Sequence, residues 1–390
     1  MSNKIKIGLI GAGIGGITAA ISLQQKGINP TIYEQAPKLG EVGAGITIGP
    51  NANHVLNSLG LEEKLEELAK PSPNVGTLHY KTGERLSYVP RGREIYMEKY
   101  GAVSRLIHRA ELYQLLVDEV KDKKNVLKLN HKLKKIKQDD KKVILYFENN
   151  IIEHCDVVIA CDGIKSIVRD QLFNTQKPIF TGYVAWRGLV DSDKVPDIDL
   201  DPHFAAYPAE NKMFGRYPVK HKTLINYVAV ARKPSLTSES WSQKAAVSEV
   251  LEEFNEWNED VVRIINATPS DKCLRWSLYS RQPLKKWING RVSLLGDAAH
   301  PMTPFYGMGA GMAIEDAIVL ARCFDKYSKD WQDALKYYEL ARIGRANKMH
   351  LDSLERGDAF MSSDESKRSL PPSAGLDDDH YKYNAAITPI

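Results

Sequence analysis

Lys4-Ile-Lys-Ile-Gly-Leu-Ile10, followed by Gly11-Ala-Gly13-Ile-Gly-Gly16, is the stretch on which the fold turns. The first run is a short β pattern with alternating Ile, and the glycines form a G-x-G-x-x-G turn. Ile17 to Lys26 then reads as a helix, Gly27 fits its C′ position, and Pro30-Thr-Ile-Tyr-Glu34 reads as a second strand. Strand, glycine turn, helix and strand within about 30 residues are the unit of a doubly wound parallel sheet. Gly11 permits the tight turn, Gly13 lets a pyrophosphate approach the backbone, and Gly16 lets helix and sheet pack closely. The helix start around Ile14 and Gly15 offers unpaired N–H donors and the positive end of its dipole. Glu34, with Gln35 beside it, ends the second strand where a carboxylate accepts hydrogen bonds from a ribose diol. That favours an adenosine with free hydroxyls, as in FAD or NAD, over a 2′-phosphate.

Two later blocks decide between those dinucleotides. Asp156-Val-Val-Ile-Ala-Cys161 is a continuous apolar run of the kind buried on both faces, and it leads into Asp162-Gly163. Arg291-Val-Ser-Leu-Leu295-Gly-Asp297 is again a strand running into a turn. It places an Asp to accept a ribityl hydroxyl, and Pro304 to Gly311 brings Gly309, Ala310 and Gly311 to a new helix start. N–H groups there can face a flavin pyrimidine ring and favour negative charge on it. A nicotinamide dehydrogenase has no use for this second grip, so the pattern points to FAD. Between these blocks, residues 181–275 carry aromatic-rich strand runs (Tyr183-Val-Ala-Trp186, Phe204-Ala-Ala-Tyr207, Leu224 to Ala231) and an amphipathic helix from about Ala245 to Asn255.

The expected fold class is α/β: a Rossmann-type FAD-binding domain with an inserted antiparallel-sheet substrate domain and C-terminal helices. The expected division is 1–180 for the first part of the FAD domain, with small excursions toward the substrate. Residues 181–275 form the substrate sheet, 276–350 the second FAD part with a long helix, and 351–390 a loosely packed tail.

With 390 residues, 43% hydrophobic and 26% charged, the chain has the composition of a folded protein with substantial cores rather than a disordered one. A net charge of +4 implies no polyanion partner. The lysines between Lys121 and Lys142 are interrupted by acids and carry no aromatic interleaving, so they read as a solvated hairpin rather than a nucleic-acid surface. Cys155, Cys161, Cys273 and Cys323 form no C-x-x-C pair and no Cys/His metal spacing. No metal, no disulfide framework and a reducing cytoplasm are the expectation. No run approaches the roughly 18 apolar residues of a membrane helix, and the chain reads as entering its first strand without a signal segment.

Taken in order, Gly11 to Gly16 with Glu34, Gly43-Ala-Gly45-Ile with Gly49-Pro50-Asn51, Cys161-Asp-Gly163 through Arg169, and Gly296-Asp297-Ala-Ala-His-Pro-Met-Thr-Pro304 resemble the single-component flavoprotein aromatic hydroxylases. Ile107-His108-Arg109 and Tyr183-Val-Ala-Trp-Arg187 are most similar to the salicylate and 6-hydroxynicotinate branch. The resemblance implies that Arg109 contacts the FAD pyrophosphate or adenosine, and that Gly45 belongs to the cofactor cleft. Asp162-Gly163 would serve FAD and the nicotinamide coenzyme, Asp297 the ribityl chain, and Gly309 to Gly311 the flavin ring. It also implies NADH or NADPH as co-substrate, O₂ adding to flavin C4a, and transfer of an electrophilic OH to an electron-rich ring. Loss of CO₂ follows if the attacked carbon bears a carboxylate.

The implied substrate is a small phenolic or hydroxy-N-heteroaromatic acid, with the protein a monomer or homodimer. A larger polycyclic substrate and a non-turnover FAD-binding redox sensor are the alternatives. The expected cavity wall comprises Thr47, Trp186, Arg187, Phe204, Arg216, Tyr217, Pro304, Phe305 and Tyr306. Arg216 is the expected partner of a substrate carboxylate and Tyr217 the polar proton partner. His300 is a further candidate base, or shapes the turn of its motif.

Overall fold

The computed structural model describes residues 5–40, 44–173, 176–234, 243–328, 330–376 and 378–390. Lys4 and Gly43, quoted above, lie outside them. The first strand, Ile7–Ile10, sits inside a six-stranded sheet. It pairs in parallel with Thr31–Tyr33 on one side and Val157–Ala160 on the other, and the latter pairs in parallel with Val292–Leu294. Ile7, Leu9, Val157, Val158, Ile159 and Ala160 are fully buried, which is why these strands read as unbroken apolar runs. Each such aliphatic side chain contributes roughly 1.5–3 kcal/mol when buried.

The helices Ile14–Gln25 and Gly309–Lys326 pack against one another over this sheet. Gly15 makes that approach possible, since a Cβ there would stand 2.9 Å from Leu295 Cδ2 and 3.2 Å from Ala313 Cβ. A 30-residue helix, Trp331–Phe360, lies against the second of them. The lysine-rich segment is a hairpin, Leu133–Gln138 with Val143–Phe147. It buries Leu133 and Ile136 and leaves Lys134, Lys135 and Lys137 in solvent.

The second large sheet has eight strands. Its centre is antiparallel, running Leu274–Ser280, Ile179–Asp191, Leu224–Arg232, Lys212–Val219 and Phe204–Ala209. Beyond these it recruits Asn74–Leu78, parallel to Phe204–Ala209, and Arg85–Pro90. One face packs on the helices Val247–Phe254 and Glu259–Asn266 through Trp186, Ala205, Tyr207, Phe214 and Tyr227. The other face looks toward the first sheet.

The C-terminal tail is not loosely packed. Thr77 Oγ1 donates to Leu370 O at 2.9 Å, Tyr306 Oη to Ala374 O at 2.7 Å, and Arg345 Nη2 to His380 O at 2.9 Å. His380, Tyr381 and Ala385 are buried. Proline and serine content suggested loose packing because it gives no periodic pattern; the tail is held by side-chain bonds to its carbonyls instead.

Two histidines are held neutral by the fold. Burial pushes His203 and His350 down to about 4, and His350 Nε2 lies 3.1 Å from Ser280 Oγ. In the unfolded chain both titrate near 6.5. Their contribution to stability is complete above that pH and is lost as the pH falls toward 4, because the unfolded chain then binds more protons. Urea midpoints at about pH 7 and about pH 5 should differ in that direction, and His350→Gln should shrink the difference. An equal pH dependence in wild type and variant would contradict this assignment.

Candidate functional site

The sequence motifs converge because of where the parallel strands end. The four strands stop at Ile10, Tyr33, Ala160 and Leu294, and the next residues are Gly11, Glu34, Cys161-Asp162-Gly163 and Leu295-Gly296-Asp297. All lie at the carboxyl edge of one sheet, where crevices form in doubly wound folds.

At the first end, Gly11 has φ +101°, and a Cβ there would stand 2.6 Å from Cys161 O. A Cβ on Gly16 would reach within 2.1 Å of Gly11 O, so only glycine closes this turn. Above Gly13 no atom of the described residues lies within 4 Å of the equivalent Cβ. Glu34 accepts from Ala12 N at 2.7 Å and Ala36 N at 2.8 Å, which fixes its carboxylate over the glycine turn. Gln35 is exposed beside it. Asp162 Oδ2 accepts from Val168 N at 3.2 Å, while its buried Oδ1 has no hydrogen-bond partner among the described residues. Burial raises the Asp162 pKa, and its bonds to Ser166 and Val168 work against that.

At the second end, Asp297 opens onto the cleft after a 3-10 turn that needs Gly296 at φ +62°. Desolvation by the surrounding protein raises its pKa, and the charges of His300 and Arg109 counter this. Arg109 opens the helix Arg109–Glu119, with its N–H held by Ala44 O at 2.6 Å. The helix Gly309–Lys326 begins without a side-chain cap and without an acid in its first turn, and Gly309 lies against Asp297 and Met302. Its first-turn N–H groups, including those of Ala310 and Gly311, are available to an anionic or carbonyl ligand.

The residues therefore fit FAD. An open glycine turn, an orphaned buried Asp162 oxygen and an uncapped helix start lie along one cleft, as an extended dinucleotide requires. Asp297→Ala should weaken FAD retention by about 10- to 100-fold, the worth of hydrogen bonds to a charged group. Flavin content after dilution and gel filtration measures it, and undiminished content would contradict the role.

The neighbouring cavity lies between the two sheets. Gly45, Thr47, Arg109, Pro304, Phe305, Tyr306 and Gly307 line its flavin-domain side. From the second sheet come Arg187, Phe204, Met213, Gly215, Tyr217, Val228 and Val230. Gly307 packs on Thr47, with a would-be Cβ 3.2 Å from its Oγ1. Tyr217 stacks on Phe204 with ring centroids 5.5 Å apart and lies over Gly45, whose N–H donates to Asn226 Oδ1 at 2.7 Å. Burial pushes the Tyr217 phenol up to about 12 despite Arg187 nearby, so at neutral pH it keeps its proton.

Three expected wall or catalytic residues are elsewhere. Arg216 is 1% exposed on the opposite face of the sheet, where Nη1 donates to Pro202 O at 2.9 Å and Nη2 to Asp199 O at 2.6 Å. Successive residues of a strand point to opposite faces, so Gly215 and Tyr217 in the cavity exclude Arg216 from it. Trp186 is turned away by the same alternation, donating to Glu249 Oε1 at 3.0 Å, while Arg187 faces in. His300 does not line the cavity: it is 1% exposed, with Nε2 2.6 Å from Asp316 Oδ2. It belongs to a buried network in which Asp316 also meets Arg342 Nε at 2.7 Å and Gly296 N at 3.0 Å. Glu315 joins it through Arg342, Arg345 and Asn51. This network gives the His and Asn of their motifs buried partners.

Among the wall residues that sequence reasoning missed are Ser72, Arg91, Ser104, Phe360, Pro372, Ser373, Leu376 and Tyr381.

Comparison with known proteins places this geometry. The model of the family described as "FAD binding domain" matches residues 4–351. A 3-amino-4-hydroxybenzoate 2-monooxygenase of Streptomyces platensis is 34% identical, over 100% of this chain and 98% of its own. A 6-hydroxynicotinate 3-monooxygenase of Pseudomonas fluorescens is 33% identical, over 90% of each chain. Among solved structures, a salicylate hydroxylase substrate complex matches with TM-score 0.80 at 25% identity over the whole of both chains. HpxO of Klebsiella pneumoniae, complexed with FAD and uric acid, matches with TM-score 0.83 at 26% identity, covering 94% of this chain and 92% of that one. Both the expected resemblance and the α/β fold class hold, and the chain belongs to the FAD-binding family of flavoprotein aromatic-ring monooxygenases.

Proposed function

We propose that the substrate is a small aromatic acid, phenolic, aminophenolic or hydroxypyridine, that the enzyme hydroxylates on the ring. One observation carries this: among the described residues, the cavity wall contains Arg91, Arg109 and Arg187 and no Asp or Glu. Guanidinium groups facing an otherwise apolar cavity are stabilised by an anion brought in with the ligand. One of those anions is the FAD pyrophosphate, toward which Arg109 is expected to point; the others call for a charged substrate.

When bound, FAD supplies electrons taken from NADH or NADPH and the activation of O₂ for transfer to the ring. The chain's own residues bind, orient and shield. Gly11 to Gly16, Glu34 and Asp162 hold the adenosine and pyrophosphate, and Asp297 with the start of the Gly309 helix holds the flavin end. Phe204, Met213, Val228 and Val230 give the substrate ring an apolar bed that excludes water. Tyr217 donates a hydrogen bond to a ring hydroxyl or its oxyanion, which fixes the ring's orientation. Thr47 stands at the junction with the flavin-domain side.

The test is NAD(P)H oxidation by the FAD-loaded enzyme with 3-amino-4-hydroxybenzoate, 6-hydroxynicotinate, 3-hydroxybenzoate, salicylate and urate, each ring acid paired with a neutral analogue. Stimulation by an acid and weak stimulation by its neutral partner is expected. Equal stimulation by the neutral compounds would remove the acid from the proposal.

A further inference from the structure

The cavity has two ends, and its cationic residues divide between them. Arg187 stands at the flavin side: burial lowers its pKa, Tyr217 opposes that and Arg109 adds to it, so its neighbours are a phenol and a second cation. Its guanidinium also lies over the Trp276 ring at 4.9 Å. Arg91 is at the other end, in the loop between Arg85–Pro90 and the helix Arg93–Tyr100. The backbone fixes it there, with Arg91 N donating to Pro73 O at 2.7 Å and Ser72 N to Ser104 O at 2.8 Å.

Arg91 is 6% exposed, yet among the described residues its guanidinium makes no hydrogen bond and no ion pair, and its Nε is a buried donor without an acceptor. Its one aromatic contact is the Tyr96 ring, 5.8 Å away. Buried charges are normally paired, so a guanidinium turned into a cavity with no acceptor calls for an anionic guest.

The wall around Arg91 is drawn from two distant parts of the chain. Ser72 and Ser104 come from the amino-terminal part, whereas Ser373, Leu376 and Tyr381 come from the carboxyl-terminal segment, beyond the family match ending at residue 351. That segment is tied down on both sides of the cavity. Arg356 Nη2 donates to Pro371 O at 2.8 Å, and Tyr100 Oη to Asp378 Oδ1 at 3.0 Å. Tyr381 packs edge-on to Tyr100 with centroids 5.3 Å apart.

We infer that this end of the cavity is a carboxylate subsite: Arg91 receives the acid group of the substrate, and the carboxyl-terminal segment forms the wall that sets which ring acids fit. This rests on the aromatic-acid reading above and names the group within that site that reads the acid. A planar guanidinium offers two parallel donors to a carboxylate, and Ser104 stands in the same wall. Arg187 Nε is likewise a buried donor without an acceptor among the described residues, but its guanidinium lies over the Trp276 ring, whereas Arg91 has no such cover at comparable distance.

The experiment titrates the FAD-loaded enzyme with 3-amino-4-hydroxybenzoate, 6-hydroxynicotinate and salicylate, and with the carboxamide of each, following the flavin absorbance change. Wild type is expected to prefer an acid over its amide. Arg91→Met should weaken the acid by about 10- to 100-fold, leave the amide unchanged, and so abolish the preference. Arg91→Lys should restore part of it, which a merely structural role would not produce. Arg187→Met should keep the preference. A preference that survives in Arg91→Met, or that disappears in Arg187→Met instead, overturns the inference while leaving the aromatic-acid reading standing. No acid-over-amide preference in wild type overturns both. If Arg91→Met loses flavin, Arg91→Gln, close in length to the arginine stem, carries the same contrast.

Discussion

Arg342→Met is expected to destabilise the protein by about 3–5 kcal/mol, the cost of breaking a buried ion pair from one side. Arg342, Glu315, Asp316 and His300 are all at most 1% exposed. Burial alone would raise the two carboxyl pKa values. Arg342 and Arg345 hold Glu315 below its ordinary value, and His300 and Arg342 hold Asp316 down to about 2. The carboxylates in turn raise Arg342 above the ordinary arginine value. Methionine fills much of the volume and leaves two acids facing one another with less positive charge between them. Because Asp316 also receives Gly296 N, and Glu315 receives Asn51, the damage reaches the turn before Asp297 and the helix Pro50–Ser58. Urea unfolding should show the lost stability, and flavin content should fall with it. A midpoint within experimental error of wild type would mean that the network contributes little. The sign of its pH dependence is also fixed: Asp316 is depressed when folded, so its contribution is present above about 3.8 and lost as the pH falls toward 2.

The second large effect is at the glycine turn, where two neighbouring glycines should behave differently. Gly16→Ala puts a Cβ 2.1 Å from a backbone oxygen, which cannot move without opening the turn between strand and helix. It should lower stability and remove FAD together. Gly13→Ala meets no atom of the described residues within 4 Å and sits at φ −68°, a conformation any residue adopts. It should fold as wild type and still bind FAD at least about tenfold more weakly, because the new methyl occupies the space left for the pyrophosphate. Thermal midpoint and flavin occupancy, measured on both variants, separate the two. If Gly13→Ala retains full flavin, the phosphates do not pass over that turn.

How far the sequence could be read differs by kind of feature. The parallel sheet was legible because burial on both faces leaves no room for polar residues, so Ile7–Ile10 and Val157–Ala160 carry an unmistakable pattern. Gly11, Glu34 and Asp162 stand out for a related reason: each comes within two residues of a strand end. The cavity wall was legible only in part. Arg216 and Tyr217, like Trp186 and Arg187, are chemically attractive neighbours, and the pleat sends them to opposite faces. Strict alternation from Tyr217 selects Gly215 and Met213 and rejects Arg216, a signal present in the sequence and overridden by the appeal of the charge. Arg91 and the carboxyl-terminal wall were not legible. They reach the cavity through long-range contacts such as Thr77 with Leu370, which no local periodicity encodes. The division of residues 74–90 onto the second sheet has the same origin: the pairing of Asn74–Leu78 with Phe204–Ala209 joins segments more than a hundred residues apart.

Incubation of the FAD-loaded enzyme with NADH or NADPH, isotopically heavy oxygen gas and the ring acid that best stimulates turnover, followed by mass spectrometry of the product, tests the central claim most directly. The account predicts an aromatic product carrying one heavy oxygen atom on the ring. An aromatic acid recovered unchanged, with every consumed O₂ appearing as hydrogen peroxide, would contradict it.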